Sequence, residues 1–215
     1  MTRSPHARRS SESMTGEAVF PHIEDFAPDL ETVLSSFHAL TVQLSTNTEP
    51  TLDDIFCGYS HVNTLICNSA RSRMYTLHAL NKRLICRYAH GIGADLFLKL
   101  AIPTDSNDWK IADSFRRREF TSVDNTAEDG CKHEVASATQ LKNSWIFPIM
   151  RPNSDDCFGI YCVDNPSAGL SDVDTRDAQR IIQDHLQLLT PLIQQAHELA
   201  TEKDFLSSVD RKSVV

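Results

Sequence analysis

The sequence lacks the features that mark several large classes of protein. No apolar run approaches the roughly 18 residues of a membrane-spanning helix, and residues 1–13 have no apolar core of a signal peptide. Positive charge is also scarce, because the formal net charge is −8. Nucleic-acid binding relies on a basic face that neutralises phosphates, so it is disfavoured as the main activity. We therefore expect a cytoplasmic protein that binds neither membrane nor nucleic acid.

The six cysteines show no spacing typical of a metal site or redox motif. None forms a Cys-x-x-Cys pair, and a free thiol in a core behaves as a small hydrophobe. We expect five of them to be reduced core residues; they are Cys57, Cys67, Cys86, Cys157 and Cys162.

Cys131 differs from the other cysteines because it lies in a polar segment. Lys132 and His133 follow it directly and could favour the thiolate. It is therefore an ordinary loop residue, a redox or modification site, or a metal ligand together with His133. A metal would need Asp129 or Glu134 as well, and three ligands within six residues suit a tetrahedral site poorly. We predict no metal.

Apolar residues spaced three and four apart predict three long helices. The first runs from about Pro28 to Leu44, and the second follows the N-cap Thr51 to about Cys67. The third runs from about Ser171 to Asp204 and has two apolar seams, so one can cover a sheet while the other remains for a partner. The first seam comprises Ile182, Leu186, Leu189, Ile193, Ala196 and Ala200; the second comprises Ile181, Leu188, Leu192 and Leu199.

Six shorter stretches predict β-strands. They cover residues 73–80, 84–89, 97–102, 120–123, 144–150 and 157–163, with a helix at about 108–118 and a polar loop at 126–140. This order predicts an α+β fold, in which a six-stranded antiparallel sheet has the terminal helices on one face and the inserted helix and loops on the other. We expect a flexible leader at 1–26, one domain at 27–204 and a flexible tail at 205–215.

Two short motifs resemble those of the GAF domain family, which is related to PAS domains. Pro148 on the fifth strand and Gly159 on the sixth resemble a recurrent strand pair of that family, and residues 171–174 (SDVD) resemble the start of its last helix. The resemblance covers about residues 30–200. It implies a small-molecule pocket between the sheet and its covering loops, in a stand-alone sensor or adaptor or in a fragment of a larger protein.

The ligand motifs of well-known GAF subfamilies do not match. The NKxnFxxxDE pattern of cyclic-nucleotide sites is missing, and the surroundings of Cys131 differ from the Cys-His motif that anchors bilins. Free methionine-R-sulfoxide reductases have a cysteine in the segment that corresponds to residues 102–112, which here read IPTDSNDWKIA. The resemblance therefore leaves the cofactor unknown and favours a non-enzyme.

Position rather than motif suggests the ligand contacts. Trp109 could stack on a planar ligand or cover the sheet, and Arg116, with Arg117, could attract an anion or simply be solvated. Asp124 and Asn125 end a strand beside the expected cavity, although such residues also form turns.

The last two candidate ligand contacts are the strand aromatics Phe147 and Tyr161, which could instead pack in the core. The leading hypothesis is a sensory GAF domain that binds an unidentified small molecule, forms a homodimer and signals to a protein partner. The alternatives are a ligand-free dimerisation domain and a reductase-type thiol enzyme.

Overall fold

A computed structural model describes residues 30–124, 133–167 and 175–212. Six strands and six helices lie within these ranges. The strands are β1 (Arg71–His78), β2 (Arg83–Gly91), β3 (Ala101–Pro103), β4 (Thr121–Val123), β5 (Ser144–Met150) and β6 (Cys157–Asp164). The helices are α1 (Leu30–Thr46), α2 (Leu52–Cys67), α3 (Ala94–Leu98), α4 (Lys110–Arg117), α5 (His133–Ala138) and α6 (Thr175–Lys212).

The strands form one antiparallel sheet in the order β3-β2-β1-β6-β5-β4. Strands β1 and β6 therefore occupy the centre. Gly159 on β6 is required by close approach, since a Cβ atom there would lie 2.7 Å from the carbonyl oxygen of Tyr75 on β1. Pro148 lies beyond the three residues of β5 that pair with β4, where a strand tolerates the missing N–H.

Each face of the sheet is covered by its own apolar core. The helix face carries α1, α2 and α6 over residues such as Met74, Phe147 and Tyr161. The opposite face, called the covered face below, carries α3 and α4 over residues such as Tyr75, Ile160 and Cys162. This arrangement confirms the predicted α+β architecture.

Local sequence accounts for the start of α2. The backbone N–H of Asp54 donates to Thr51 Oγ1 (3.1 Å), and the N–H of Thr51 donates to Asp54 Oδ2 (2.9 Å). This capping box satisfies two N–H groups that the helix itself leaves unpaired. Hydrogen bonds from the backbone and side chain of Thr51 lower the pKa of the Asp54 carboxyl.

Several sequence-based boundaries were wrong. Residues 97–102 do not form one strand, because Gly93 adopts a left-handed conformation (φ +73°) and starts the single turn α3 before the short β3. The turn α3 buries Phe97 alone, and a single inward apolar residue does not distinguish one helical turn from a short strand.

Other differences concern the ends of elements. Strand β1 begins at Arg71 rather than at Arg73, and α6 continues to Lys212, into the expected tail. The capping residues 171–174 lie outside the described ranges. Cys57 is exposed on α2, contrary to expectation, whereas the other four described cysteines are buried or half-buried.

The helix layer contains a buried histidine that contributes to its packing. His185 on α6 stacks on Phe37 of α1, with ring centroids 3.8 Å apart and planes 3° apart. Burial lowers the pKa of His185 from its ordinary value of 6.5, although Asp184 partly opposes this effect. The stability that neutral His185 supplies is therefore present above pH 6.5 and is lost as pH falls toward its folded pKa.

We predict that His185→Phe makes the protein less sensitive to acid. Phenylalanine keeps the stack and removes the titrating group. The free energy of unfolding, measured by urea denaturation, should fall less between about pH 7 and pH 5 in the variant than in the parent protein. The exposed His61→Gln is the matched control. Equal acid sensitivity in all three proteins would contradict this account.

Candidate functional site

The six residues proposed from sequence do not lie together. Trp109 is buried on the covered face, whereas Phe147 and Tyr161 lie on the helix face. The Tyr161 hydroxyl accepts a hydrogen bond from Asn63 Nδ2 of α2 (2.6 Å), and the Phe147 ring lies 4.9 Å from that of Phe120. One ligand between the sheet and its cover would therefore face Trp109 but not the other two aromatic residues.

The remaining proposed residues lie in loops or outside the described ranges. Arg116 Nη1 donates to the carbonyls of Thr104 and Ser106 (2.8 Å each), so its exposed side chain closes the loop before α4. Asp124 is exposed and accepts from Ser122 Oγ (2.9 Å). Asn125 and Cys131 lie outside the described ranges, so their roles stay predictions.

The space between the sheet and α4 is filled by apolar side chains. Trp109, Ile111 and Ala112 pack there against Ile146 and Cys162 of the sheet. This packing leaves the end of the covered face near α3 and α5 as the place where polar groups gather.

A buried ion cluster occupies that end of the covered face. Arg71 and Arg73 lie on β1, two residues apart, and each is 2% exposed. Arg71 Nε and Arg73 Nη2 donate to the two oxygens of the Asp164 carboxylate on β6, both at 2.6 Å. The fully buried Asp164 also accepts from Ser144 Oγ (2.8 Å), so the cluster joins β1, β6 and β5.

Backbone carbonyls and an aromatic ring fix the two guanidinium groups. Arg71 Nη1 donates to the carbonyls of Thr139 (3.0 Å) and Ile92, and Arg73 Nη1 donates to the Tyr75 hydroxyl (3.0 Å). The Phe97 ring of α3 packs on both arginines, with its centroid 4.5 Å from Cζ of Arg71 and 4.2 Å from Cζ of Arg73. These cation–π contacts add to the ion pairs.

The cluster has more positive than negative charge. Burial by itself lowers the pKa of Arg73, but the Asp164 carboxylate outweighs this and the pKa lies well above its ordinary value. Burial raises the pKa of Tyr75 well above 10, so its hydroxyl is neutral. Two guanidinium groups therefore share one carboxylate, and Arg71 Nη2 and Arg73 Nε are buried without a hydrogen-bond partner.

A cleft of about 390 Å³ opens beside Arg71. Its lining combines β-strand ends with the loop after α5, and it comprises Ala70, Arg71, Ile92, Asp124, Thr139, Gln140, Lys142, Asn143, Asn165 and Pro166. This size falls within the range of small-molecule sites. The cleft, rather than the packed region under α4, is the candidate ligand site.

A larger groove of about 930 Å³ lies beside the C-terminal part of α6. Its Arg151 is paired with Glu198 (3.5 Å) and lies over the Phe158 ring, 5.5 Å from the centroid. In this groove Arg151 therefore has a carboxylate partner of its own, whereas Arg71 at the cleft shares Asp164 with Arg73.

Sequence reasoning missed the arginines and Asp164. The available signal was the spacing of Arg71, Arg73 and Tyr75, which places all three on one face of a strand. Asp164 ends the otherwise apolar stretch Phe158–Val163. Charged residues are rarely buried without a partner of opposite charge, so a buried pairing of the arginines with Asp164 could have been predicted.

Four of the five described cysteines are poorly suited to thiol chemistry. Burial raises the pKa of Cys67, Cys86 and Cys162 to about 12 and that of Cys157 to about 11. Their thiols therefore stay protonated at neutral pH. Within residues 30–124, 133–167 and 175–212, no three Cys, His, Asp or Glu side chains converge as metal ligands. The helices described in these ranges are too short or too polar to cross a bilayer.

Many solved structures similar to this chain are GAF domains. The GAF domain of a phosphoenolpyruvate-protein phosphotransferase from Coxiella burnetii is 11% identical, with a TM-score of 0.64 over 81% of this chain and 99% of the other. The GAF domain of a sensor histidine kinase from Bacillus halodurans is 16% identical, with a TM-score of 0.55 over 70% and 98%.

One similar structure is an enzyme, the free methionine-R-sulfoxide reductase from Neisseria meningitidis. It is 13% identical, with a TM-score of 0.58 over 81% of this chain and 96% of the reductase. No protein-family model matches the sequence, and no curated protein matches it. The chain thus has the GAF-domain fold, and the similar structures include the GAF domain of a sensor histidine kinase.

We predict that Asp164→Asn destabilises the protein by about 3–5 kcal/mol, because it leaves two buried guanidinium groups without a counter-charge. Arg71→Met should cost less, since a neutral Arg73–Asp164 pair remains. Urea denaturation measures both values. Glu119→Gln, which breaks the exposed ion pair with Arg117 (2.9 Å), is the control and should cost less than about 1 kcal/mol. Similar costs for Asp164→Asn and Glu119→Gln would contradict the cluster's importance.

We predict unequal labelling of the described cysteines by iodoacetamide at pH 8. Cys57 should react because it is exposed, whereas Cys67, Cys86 and Cys162 should react only after the protein is unfolded. Peptide mass spectrometry of native and urea-treated samples gives the extent at each position. Rapid labelling of Cys162 in the native protein would show that the covered face opens readily.

Proposed function

We propose that the chain is a regulatory sensing domain that binds a small molecule on the covered face and passes the bound state on through a helical dimer interface. The observation that carries the ligand-binding part is the unpartnered Arg71 Nη2 group beside a cleft of suitable size. The coarser assignment is supported by the GAF domains of similar fold in signalling proteins such as a sensor histidine kinase.

The proposed dimer interface uses apolar residues that α1 and α6 expose. Leu30, Leu34 and Val42 are about half exposed on α1, and Leu188 on α6 is 69% exposed. The Phe37–His185 stack places the two helices in contact with each other. A second copy of the chain would cover these side chains, because an isolated domain gains nothing from exposing them.

The described part of α6 fits a role in transmission. Ile182, Leu186 and Ile193 of the first seam are buried against the helix face, whereas Leu188 of the second seam remains exposed. Among the side chains described from Glu198 to Lys203, none is buried, although the helix continues to Lys212. A ligand-induced shift of the sheet could therefore change the orientation of the helix ends.

A ligand-free dimerisation domain is the second candidate. It is favoured by the apolar packing of Trp109 and Ile111 against the sheet, which occupies the space under α4. A thiol reductase is a third candidate, supported by the similar fold of the Neisseria enzyme. The raised thiol pKa values argue against Cys67, Cys86, Cys157 or Cys162 as its nucleophile. If the Cys131→Ser variant keeps the properties of the parent protein, the reductase candidate is excluded.

We predict that the purified protein has twice the mass of one chain by light scattering, and that Leu188→Glu converts it to a monomer. The new carboxylate would be buried unpaired at the interface, which is costly. Leu80→Glu is the matched control, because Leu80 is 94% exposed in the β1–β2 turn, outside α1 and α6. A monomeric parent protein, or a Leu188→Glu variant that stays dimeric, would contradict this interface.

A further inference from the structure

The Arg71–Arg73–Asp164 cluster carries a net positive charge in the protein interior, where a net charge is costly. Both arginines are 2% exposed and share one carboxylate, which leaves an excess of one positive charge. Burying an uncompensated charge costs far more than leaving it in water. A buried cluster with an excess of one positive charge would therefore be stabilised by a further anion beyond Asp164.

The unpartnered N–H groups show where such an anion would bind. Arg71 uses Nε for Asp164 and Nη1 for two carbonyls, while Nη2 donates to no partner. Because three fixed acceptors hold the rest of the guanidinium group, Nη2 is oriented before any ligand arrives. A preorganised donor of this kind favours binding. Arg71 also lines the cleft of about 390 Å³, while its Nη2 atom is itself buried, so a bound anion would need a small opening of the cleft floor to reach that donor.

We propose that Arg71, supported by Arg73, anchors a small monocarboxylate in this cleft. The inference rests on the proposed sensing function and names its ligand class. A single negative charge balances the excess of one, whereas a phosphate dianion would overcompensate it. Carboxylate oxygens also match the planar geometry of a guanidinium donor. Ile92 and Pro166 line the same cleft and suit the short apolar part of an organic acid.

Two charged side chains at the cleft should tune the affinity in opposite directions. Lys142 is exposed and lines the cleft, so its ammonium group would attract the ligand. Asp124 is also exposed there, and its Oδ1 already accepts from Ser122 Oγ. Its carboxylate would repel a monoanion. Both residues can be changed without removing a bond of the buried cluster.

The experiment titrates the full chain with lactate and, as its uncharged analogue, lactamide. Calorimetry at constant ionic strength measures the affinity, and thermal unfolding measures the stabilisation that binding confers. Lactate should bind with one site per chain and raise the unfolding temperature, whereas lactamide should do neither. Phosphate and chloride serve as inorganic anions and should compete weakly or not at all.

Variants then test the anchor. Arg71→Met should weaken lactate binding at least about tenfold, the loss expected for a charge-assisted hydrogen bond. Lys142→Gln should weaken it by about two- to fivefold, and Asp124→Asn should strengthen it by a similar factor. Arg83→Met, which removes an exposed arginine of β2, is the matched control and should change nothing. If Arg71→Met does not fold, the Lys142 and Asp124 variants still test the site.

Several outcomes would overturn the proposal. These are equal binding of lactate and lactamide, lactate binding unchanged in Arg71→Met, or phosphate binding in place of lactate. Strong destabilisation by Asp124→Asn would show that Asp124 itself neutralises Arg71, and would also overturn it. Binding of a neutral compound without any anion would remove this inference but leave the sensing function. A chain that is monomeric and binds no compound would remove the sensing function.

Discussion

The fold depends on one buried carboxylate. Asp164 accepts hydrogen bonds from Arg71 and Arg73 on the neighbouring central strand and from Ser144 on β5. Arg71 in turn bonds to the carbonyls of Ile92, after β2, and Thr139, after α5. A single charged group thus connects three adjacent strands with the segments that cover them. Most other buried side-chain contacts of the sheet are apolar and non-directional, so this cluster favours one register of β1 against β6.

The same cluster explains why the two faces of the sheet differ. The helix face is a continuous apolar layer under α1, α2 and α6, which suits a rigid support. The covered face has an apolar region under α4 and a charged end beside α3 and α5. Phe97 separates the two regions by packing its ring on both guanidinium groups. A binding event at the charged end would therefore act on β1 and β6, the strands at the centre of the sheet.

Features that depend on neighbouring residues were predictable from sequence, whereas the layer that covers a given strand residue was not. The cap of α2 at Thr51 follows from side-chain chemistry within four residues, and Pro148 and Gly159 marked the β5–β6 pair correctly. Phe147 and Tyr161 are direct cross-strand partners, so alternation places them on one face. Which helices cover that face depends on contacts distant in sequence. Arg71 and Arg73 were missed for a related reason, because their burial depends on Asp164, more than ninety residues away.

The central claim is that the excess positive charge at Arg71 is balanced by a bound small carboxylate. The most direct measurement is a high-resolution crystal structure of freshly purified full chain, crystallised without carboxylate buffers and then soaked with lactate. The account predicts planar density of a carboxylate within about 3 Å of Arg71 Nη2. A carboxylate side chain of the chain itself, bonded to Nη2 before and after the soak, would contradict it.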